Sequence, residues 1–287
     1  MTFLYSGRPS DVFRESPLTT MLFTMNRLRR YVFRGWTILT LTVCLLLVRC
    51  IIFSQADNEI QVYASPTIQH KWTIFELHNN YTFKGSSYLS NPKDAKWYNT
   101  TLEITHGLGK NFEIGFYTFA GIEPGGGYTY LGNQIRPRVT IPDKWKWFFG
   151  ASLSAEFGFF RPDDTSDFYW QGEIRPIIDK TIGDFYVALN PNIDFVISGN
   201  EKGVGLSPQF KVVYTMQKKI GFGIEYYSSL GEFRNILPLK MQEHLLGPII
   251  DLYIHPMWEI QSGFLFGLTQ NSNQRVFKLL FGRRIGK

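Results

Sequence analysis

Thiols are nearly absent from this chain. Its two cysteines, Cys44 and Cys50, both fall early in the 287 residues, so everything downstream forms no disulfide and offers no thiolate ligand or nucleophile. Beyond residue 56 no apolar run approaches the roughly 20 residues that a membrane-crossing helix needs, so any membrane residence there must come from strands. A basic excess is missing from the same stretch. Of 30 Lys and Arg residues seven lie in 1–56, and of 24 acids only Asp11 and Glu15 do, leaving 23 bases against 22 acids in 57–287. The formal charge of +6 therefore belongs to the leader, and nucleic-acid binding has no support. No G-x-S-x-G elbow occurs, and Glu123-Pro124-Gly125-Gly126-Gly127-Tyr128 lacks the lysine and helix of a phosphate cradle, so it reads as an outer loop.

The leader has an order of its own. Arg27, Arg29, Arg30 and Arg34 precede an apolar run from Trp36 to Val48, which Arg49 ends, and Ser54-Gln55-Ala56 puts small residues before Asp57. That is the layout of a cleaved signal peptide over 1–56. A retained inner-membrane anchor is the alternative. Leu47-Val48-Arg49-Cys50 fits a lipoprotein site poorly, because arginine directly precedes the cysteine. Met21 and Met25 both precede the basic cluster, so 1–24 reads as an over-called start. Residues 57–71 read as a short polar, periplasmic lead-in.

From Trp72 to Ile285 apolar and polar residues alternate. Phe185, Val187, Leu189, Ile193 and Phe195 take one parity, and Tyr186, Asn190, Asn192 and Asp194 the other. A period of two means strands with one apolar and one polar face. Twelve are predicted: near 72–84, 99–106, 112–120, 134–141, 148–159, 169–180, 185–196, 205–214, 220–229, 245–255, 258–268 and 275–284. Residues 235–243 could add a turn or two of helix. Short connectors (107–111, 142–146, 181–184, 216–219, 255–257) alternate with longer ones (85–98, 121–130, 160–168, 197–203, 230–243), and 269–274 is intermediate. Trp145, Trp147 and Trp258 sit beside short turns, Trp97 and Trp170 beside long loops, as amphipathic rings do at two membrane interfaces. A soluble sandwich would hide its apolar parity. A sheet rolled with that parity outward suits lipid, where closure satisfies every backbone group. The predicted fold class is all-β: a closed antiparallel transmembrane β-barrel of about 12 strands over 72–285, monomeric, in a lipid bilayer.

Several motifs carry a resemblance: Leu77-His78-Asn79-Asn80-Tyr81-Thr82-Phe83-Lys84-Gly85, Leu102-Glu103-Ile104-Thr105-His106-Gly107, Ile135-Arg136-Pro137-Arg138-Val139, Glu173-Ile174-Arg175-Pro176-Ile177, Ser207-Pro208-Gln209-Phe210-Lys211-Val212 and Gly223-Ile224-Glu225-Tyr226-Tyr227. Over about 59–284 the chain resembles the bacterial outer-membrane barrels grouped with the meta-pathway of phenol degradation, which are often labelled transporters. The resemblance implies an outer-membrane location, insertion by the outer-membrane assembly machinery, and passage of small hydrophobic or aromatic solutes. It implies no settled solute, no cofactor and no catalytic residue. One departure stands out: such barrels end on an aromatic residue, whereas this chain ends Phe281-Gly282-Arg283-Arg284-Ile285-Gly286-Lys287.

The polar parity yields a candidate lumen set. Its acids are Glu76, Glu103, Glu113, Glu156, Glu173, Asp179, Asp194, Glu225, Asp251 and Glu259; its bases are Arg136, Arg138, Arg175, Lys211 and Lys278, with His78 among them. Arg or Lys facing lipid at the midplane would cost roughly 2–4 kcal/mol each, so these residues are expected to face inward. They would form an ion-pair network packing a narrow interior, a constriction selecting solutes, or both. A lipid or lipopolysaccharide hydrolase is the competing class. Its candidates would be His78, His106 and His255 with Ser152, Ser154 and Ser228, but no Ser–His spacing supports it. A non-transporting surface barrel is the third. No His/Asp/Glu spacing along the sequence suggests a metal site.

Overall fold

The computed structural model describes residues 58–87, 97–122, 126–162, 167–199 and 202–286. The leader 1–56 with both cysteines, and the connector Asn91-Pro92-Lys93, lie outside the described residues, as do Glu123, Pro124 and Gly125.

Alternation produces the expected long strands: β1 (Thr73–Lys84), β2 (Trp97–Gly107), β3 (Phe112–Ile122), β4 (Tyr128–Thr140), β5 (Gly150–Phe160), β6 (Tyr169–Ile182), β7 (Phe185–Val196), β8 (Gly203–Met216) and β9 (Ile220–Ser229). After a two-residue pair, β10 (Gly231–Glu232) and β11 (Asn235–Ile236), come β12 (Glu243–Leu252), β13 (Trp258–Gly267) and β14 (Arg275–Ile285). The small β10–β11 hairpin and a single 3-10 turn at Leu239–Met241 fill the connector where a longer helix was an option. Each long strand pairs antiparallel with its neighbours, β8 meets β9, β9 meets β12, and β14 returns to β1, closing a twelve-stranded barrel. The closing ladder is long, from Thr73 opposite Ile285 to Thr82 opposite Val276, so the non-aromatic end does not shorten it. Ile285 stands exposed where the aromatic would be.

Long strands of 10 to 14 residues can each cross a bilayer, for which about 9–11 tilted residues suffice. Outward parities carry Leu77, Leu102, Phe116, Leu153, Ile174, Leu189, Phe210 and Ile250, all exposed apolar side chains, while the opposite parities carry buried Glu, Arg, Asn and Gln. This inverts a soluble core. Trp145, Trp147 and Phe148 cluster exposed beside one short turn, and Trp170 stacks on Phe157 near the opposite end.

β4 begins six residues before the alternation suggested. A bulge explains the difference: Phe119 pairs with Gly132 but Ala120 with Tyr130, leaving Leu131 as the extra residue. The bulge flips the parity, so Leu131 turns inward beside Phe119 and Phe160. Trp97 also corrects an expectation. It packs on that inward cluster, donating its indole N–H to Asn99, instead of facing the lipid interface.

Candidate functional site

The barrel is not hollow. Asn58, Glu59, Ile60, Gln61, Val62 and Tyr63 are all buried, odd and even positions alike, which no segment on an open surface achieves. Residues 57–71 are expected to be a short periplasmic lead-in; the contacts of residues 58–70 run through the interior. His70 bridges Gly107 at the short-turn end, and the Asn58 carbonyl accepts from Thr101 Oγ1 (2.8 Å) and Asn80 Nδ2 (3.2 Å), well along β2 and β1. Having no ladder partner over most of its length, this extended chain takes its backbone bonds from wall side chains. Asn190 binds Tyr63 twice, accepting from its N–H (2.7 Å) and donating to its carbonyl (3.1 Å). Asp179 accepts from the Ser65 N–H (2.6 Å) and hydroxyl (2.8 Å), and Glu113 from the Ile68 N–H. Arg138 donates to the carbonyls of Ala64 and Pro66, 3.0 Å each.

Two glycines make room for the segment. A Cβ on Gly150 would stand 2.3 Å from Ser65 Oγ, and one on Gly107 would stand 2.3 Å from the Gln69 carbonyl oxygen. Gly107, which composition assigns to a tight turn, therefore also marks where the internal segment leaves the barrel against β2.

The charged positions expected in the lumen fall into two groups. On the side formed by β1 to β7, Glu103 accepts from Arg136 and Thr105 and lies 3.3 Å from His78 Nε2. Glu113 holds Arg136 (3.2 Å) and Arg138 (2.7 Å). Arg175 joins Glu173 and approaches Glu156 (3.5 Å) and Glu59 (4.0 Å). The Tyr63 ring lies beneath three guanidinium carbons, those of Arg175 (4.4 Å), Arg136 (4.9 Å) and Arg138 (5.7 Å). Its hydroxyl bonds Glu59, Glu103 (3.1 Å) and Tyr117 (2.9 Å). Asn192 donates to Glu173, and Ser207 to Asp194.

Across the barrel, Lys211 pairs with Asp251 (3.0 Å) and Glu225 (3.5 Å), and Lys278 binds Glu225 (2.7 Å), Gln261 (2.6 Å) and Tyr227 (3.0 Å). Here the internal segment meets hydrocarbon: Ile60 and Val62 pack with Ala188, Tyr227, Leu245, Leu265 and Val276. Glu76 is buried on the inner face, whereas Glu259, paired with Arg284, is half-exposed, and Asp194 is half-buried.

Parity reasoning could have found Tyr117, which shares the inward parity of Glu113; it could not find Glu59 or Tyr63, which belong to no periodic element. Nor does sequence spacing reveal that the fold gathers Glu59, His78 and Glu103, whose donor atoms lie within 4.8 Å of one another. The hydrolase candidates stay apart. His106 bonds Thr73, His255 accepts from the Met257 N–H, and Ser228 donates to the Pro208 carbonyl.

No protein-family model matches the chain, and no curated protein does. Solved structures do resemble it. The COG4313 outer membrane channel from Pseudomonas putida F1 superposes with a TM-score of 0.58 at 14% identity, covering 79% of this chain and all of its own. The KdgM porin (TM-score 0.45, 12% identity, 73% of this chain and 98% of its own) and the Acinetobacter baumannii outer membrane protein Omp33 (0.41, 10%, 75% and 98%) are more distant. At such identities the likeness is one of fold: a closed outer-membrane-type β-barrel.

Proposed function

We propose that this protein is a passive outer-membrane channel for small solutes, held shut in the state described here by its own N-terminal segment. The two-faced wall carries the reading: an apolar outer surface demands lipid, and a charged inner surface, here paired and filled by the internal segment, would border water once that segment leaves. Under this proposal the short turns face the periplasm and the longer loops the exterior. Processing after Ala56 would leave the mature chain beginning one residue before Asn58, with its free end inside the barrel.

The solute class rests on the phenol meta-pathway resemblance, which points to small aromatic or hydrophobic molecules. Near the long-loop end Phe119, Leu131 and Phe160 turn inward and are buried, with Trp97 and Tyr169 packed on them, so this aromatic cluster would have to open before a solute could touch it. A second reading, a non-transporting barrel, draws on the tight packing of Ile60 and Val62 within the interior. No enzymatic role is proposed.

Planar-bilayer recording separates these readings. Full-length protein should conduct weakly, and a variant lacking 58–66 strongly. If the deletion variant folds, as judged by a heat-dependent shift on a detergent gel, yet neither conducts nor admits solutes to liposomes, the channel reading fails.

A further inference from the structure

Among the described residues, nine buried carboxyl side chains face only five buried Lys and Arg, an excess of four. Removing so many acids from bulk water without matching cations is costly unless protons or a bound cation compensate. One place in the interior is shaped for a cation. Glu59 rises from the internal segment, His78 projects from β1 and Glu103 from β2, and all three are at least 96% buried. The contact between His78 and Glu103 leaves a remainder. Glu59 Oε2 has no hydrogen-bond partner, and His78 Nε2, though 3.3 Å from Glu103 Oε2, makes no directed hydrogen bond. Arg136 and Thr105 occupy the other oxygen of Glu103, which leaves Oε2 turned toward His78 and the Tyr63 hydroxyl.

We propose that Glu59, His78 and Glu103 bind one divalent transition-metal ion of the Zn²⁺ type, which ties the internal segment to the barrel wall. One imidazole nitrogen and two carboxylate oxygens form a donor set that such ions accept, at about 2.0–2.2 Å from the metal. Tetrahedral ligands at that radius stand about 3.3–3.5 Å apart. The His78–Glu103 separation of 3.3 Å already matches, and the 4.8 Å limit on the set asks Glu59 to close by little more than an ångström. The Tyr63 hydroxyl or a water completes four-coordination. The dipositive charge would offset half of the carboxylate excess. Resting on the channel reading, a consequence follows: metal binding locks the segment in place and chelation frees it.

The site is testable without any transport measurement. Full-length protein with Cys44 and Cys50 replaced by serine, so that no thiol competes for the ion, is refolded in detergent, equilibrated with Zn²⁺ and desalted, and its metal content is measured by mass spectrometry. Co²⁺ replaces Zn²⁺ in a parallel sample for its electronic spectrum. One ion per folded chain and tetrahedral Co²⁺ bands are expected. His78→Ala and Glu59→Gln should each weaken binding roughly tenfold or more. Glu59→Gln lies outside the wall, so it remains informative if His78→Ala misfolds. Thiol-free protein without stoichiometric metal overturns the site, as does binding that Glu59→Gln leaves unchanged. A protein that binds zinc but never conducts would confirm the site and remove only its proposed consequence.

Discussion

The two sides of the lumen hold the same segment by different physics. Along β1 to β7 the grip is polar and directional: Asn190, Asp179, Glu113 and Arg138 bind its backbone, and three arginines surround Tyr63. Along β9 to β14 it is apolar, with Leu245, Leu265 and Val276 receiving Ile60 and Val62. The directional side fixes register, because a slip of one residue would strand every bonded group. The apolar side supplies non-directional stabilisation and tolerates sliding. The gating proposed above asks for a segment both well placed and releasable, and the two grips together would supply that.

The largest effect should come from breaking the polar side inside the wall. Glu113→Ala removes the carboxylate that holds Arg136 and Arg138 and caps the Ile68 N–H; Arg136 keeps Glu103, but the buried Arg138 guanidinium loses its carboxylate partner. Removing one partner of a buried pair costs about 3–5 kcal/mol, readable as a lowered urea midpoint for the detergent-folded barrel. A loss below about 1 kcal/mol, the usual worth of an exposed pair, would mean water reaches these groups and the polar grip is weaker than its geometry.

Next comes the apolar side. Ile60→Ala should loosen the segment by about 2 kcal/mol, at the lower end for Ile truncation because the freed pocket opens toward the lumen. Val62→Cys, with Cys44 and Cys50 replaced by serine, reports that loosening as faster labelling by a membrane-impermeant maleimide, on the order of 30-fold at that free energy. Tyr63→Phe should act more gently. It deletes the hydroxyl bonded to Glu59, Glu103 and Tyr117 but keeps the ring under the guanidiniums, for about 1 kcal/mol and a labelling change of roughly fivefold. If Tyr63→Phe labels faster than Ile60→Ala, the ranking of the two sides reverses.

Much of the wall was legible from alternation alone, because lipid outside and charge inside force every strand onto a period of two. Legibility failed where that period is disturbed. The bulge at Leu131 flips parity and hid the first six residues of β4. In β12 both parities are apolar, Leu245 and Ile249 inward against Leu246 and Ile250 outward, so no pattern marks which of them line the lumen. Most of the charged residues assigned to the polar parity are buried, as the cost of placing charge against lipid would have it, though Glu259 stays half-exposed. The internal segment was not legible, since Glu59 and Tyr63 take their places from wall groups distant in sequence, such as Asn190 at 127 residues from Tyr63.

The smallest predicted effect concerns the wall behind the polar side. Pairing of β6 with β7 lapses between Ile174 opposite Ile193 and Ile178 opposite Leu189, and the break centres on Pro176 facing Pro191. Neither proline has an N–H, so two ladder bonds that hydrocarbon cannot replace with water are missing from mid-wall. The ladder from β14 through β1 to β2 has no comparable gap. Pro191→Val restores one donor opposite the Pro176 carbonyl and places a β-branched side chain on the lipid face. It should stabilise the barrel by about 1 kcal/mol, reduced by the entropy that proline removes from the unfolded chain, about 0.4–1 kcal/mol. The net change is a few tenths of a kcal/mol in urea unfolding, but amide exchange along β6 and β7 should slow clearly. Faster exchange there would mean that the opposed prolines fit the local twist better than a bonded pair does, and that the gap between the two strands is no weakness.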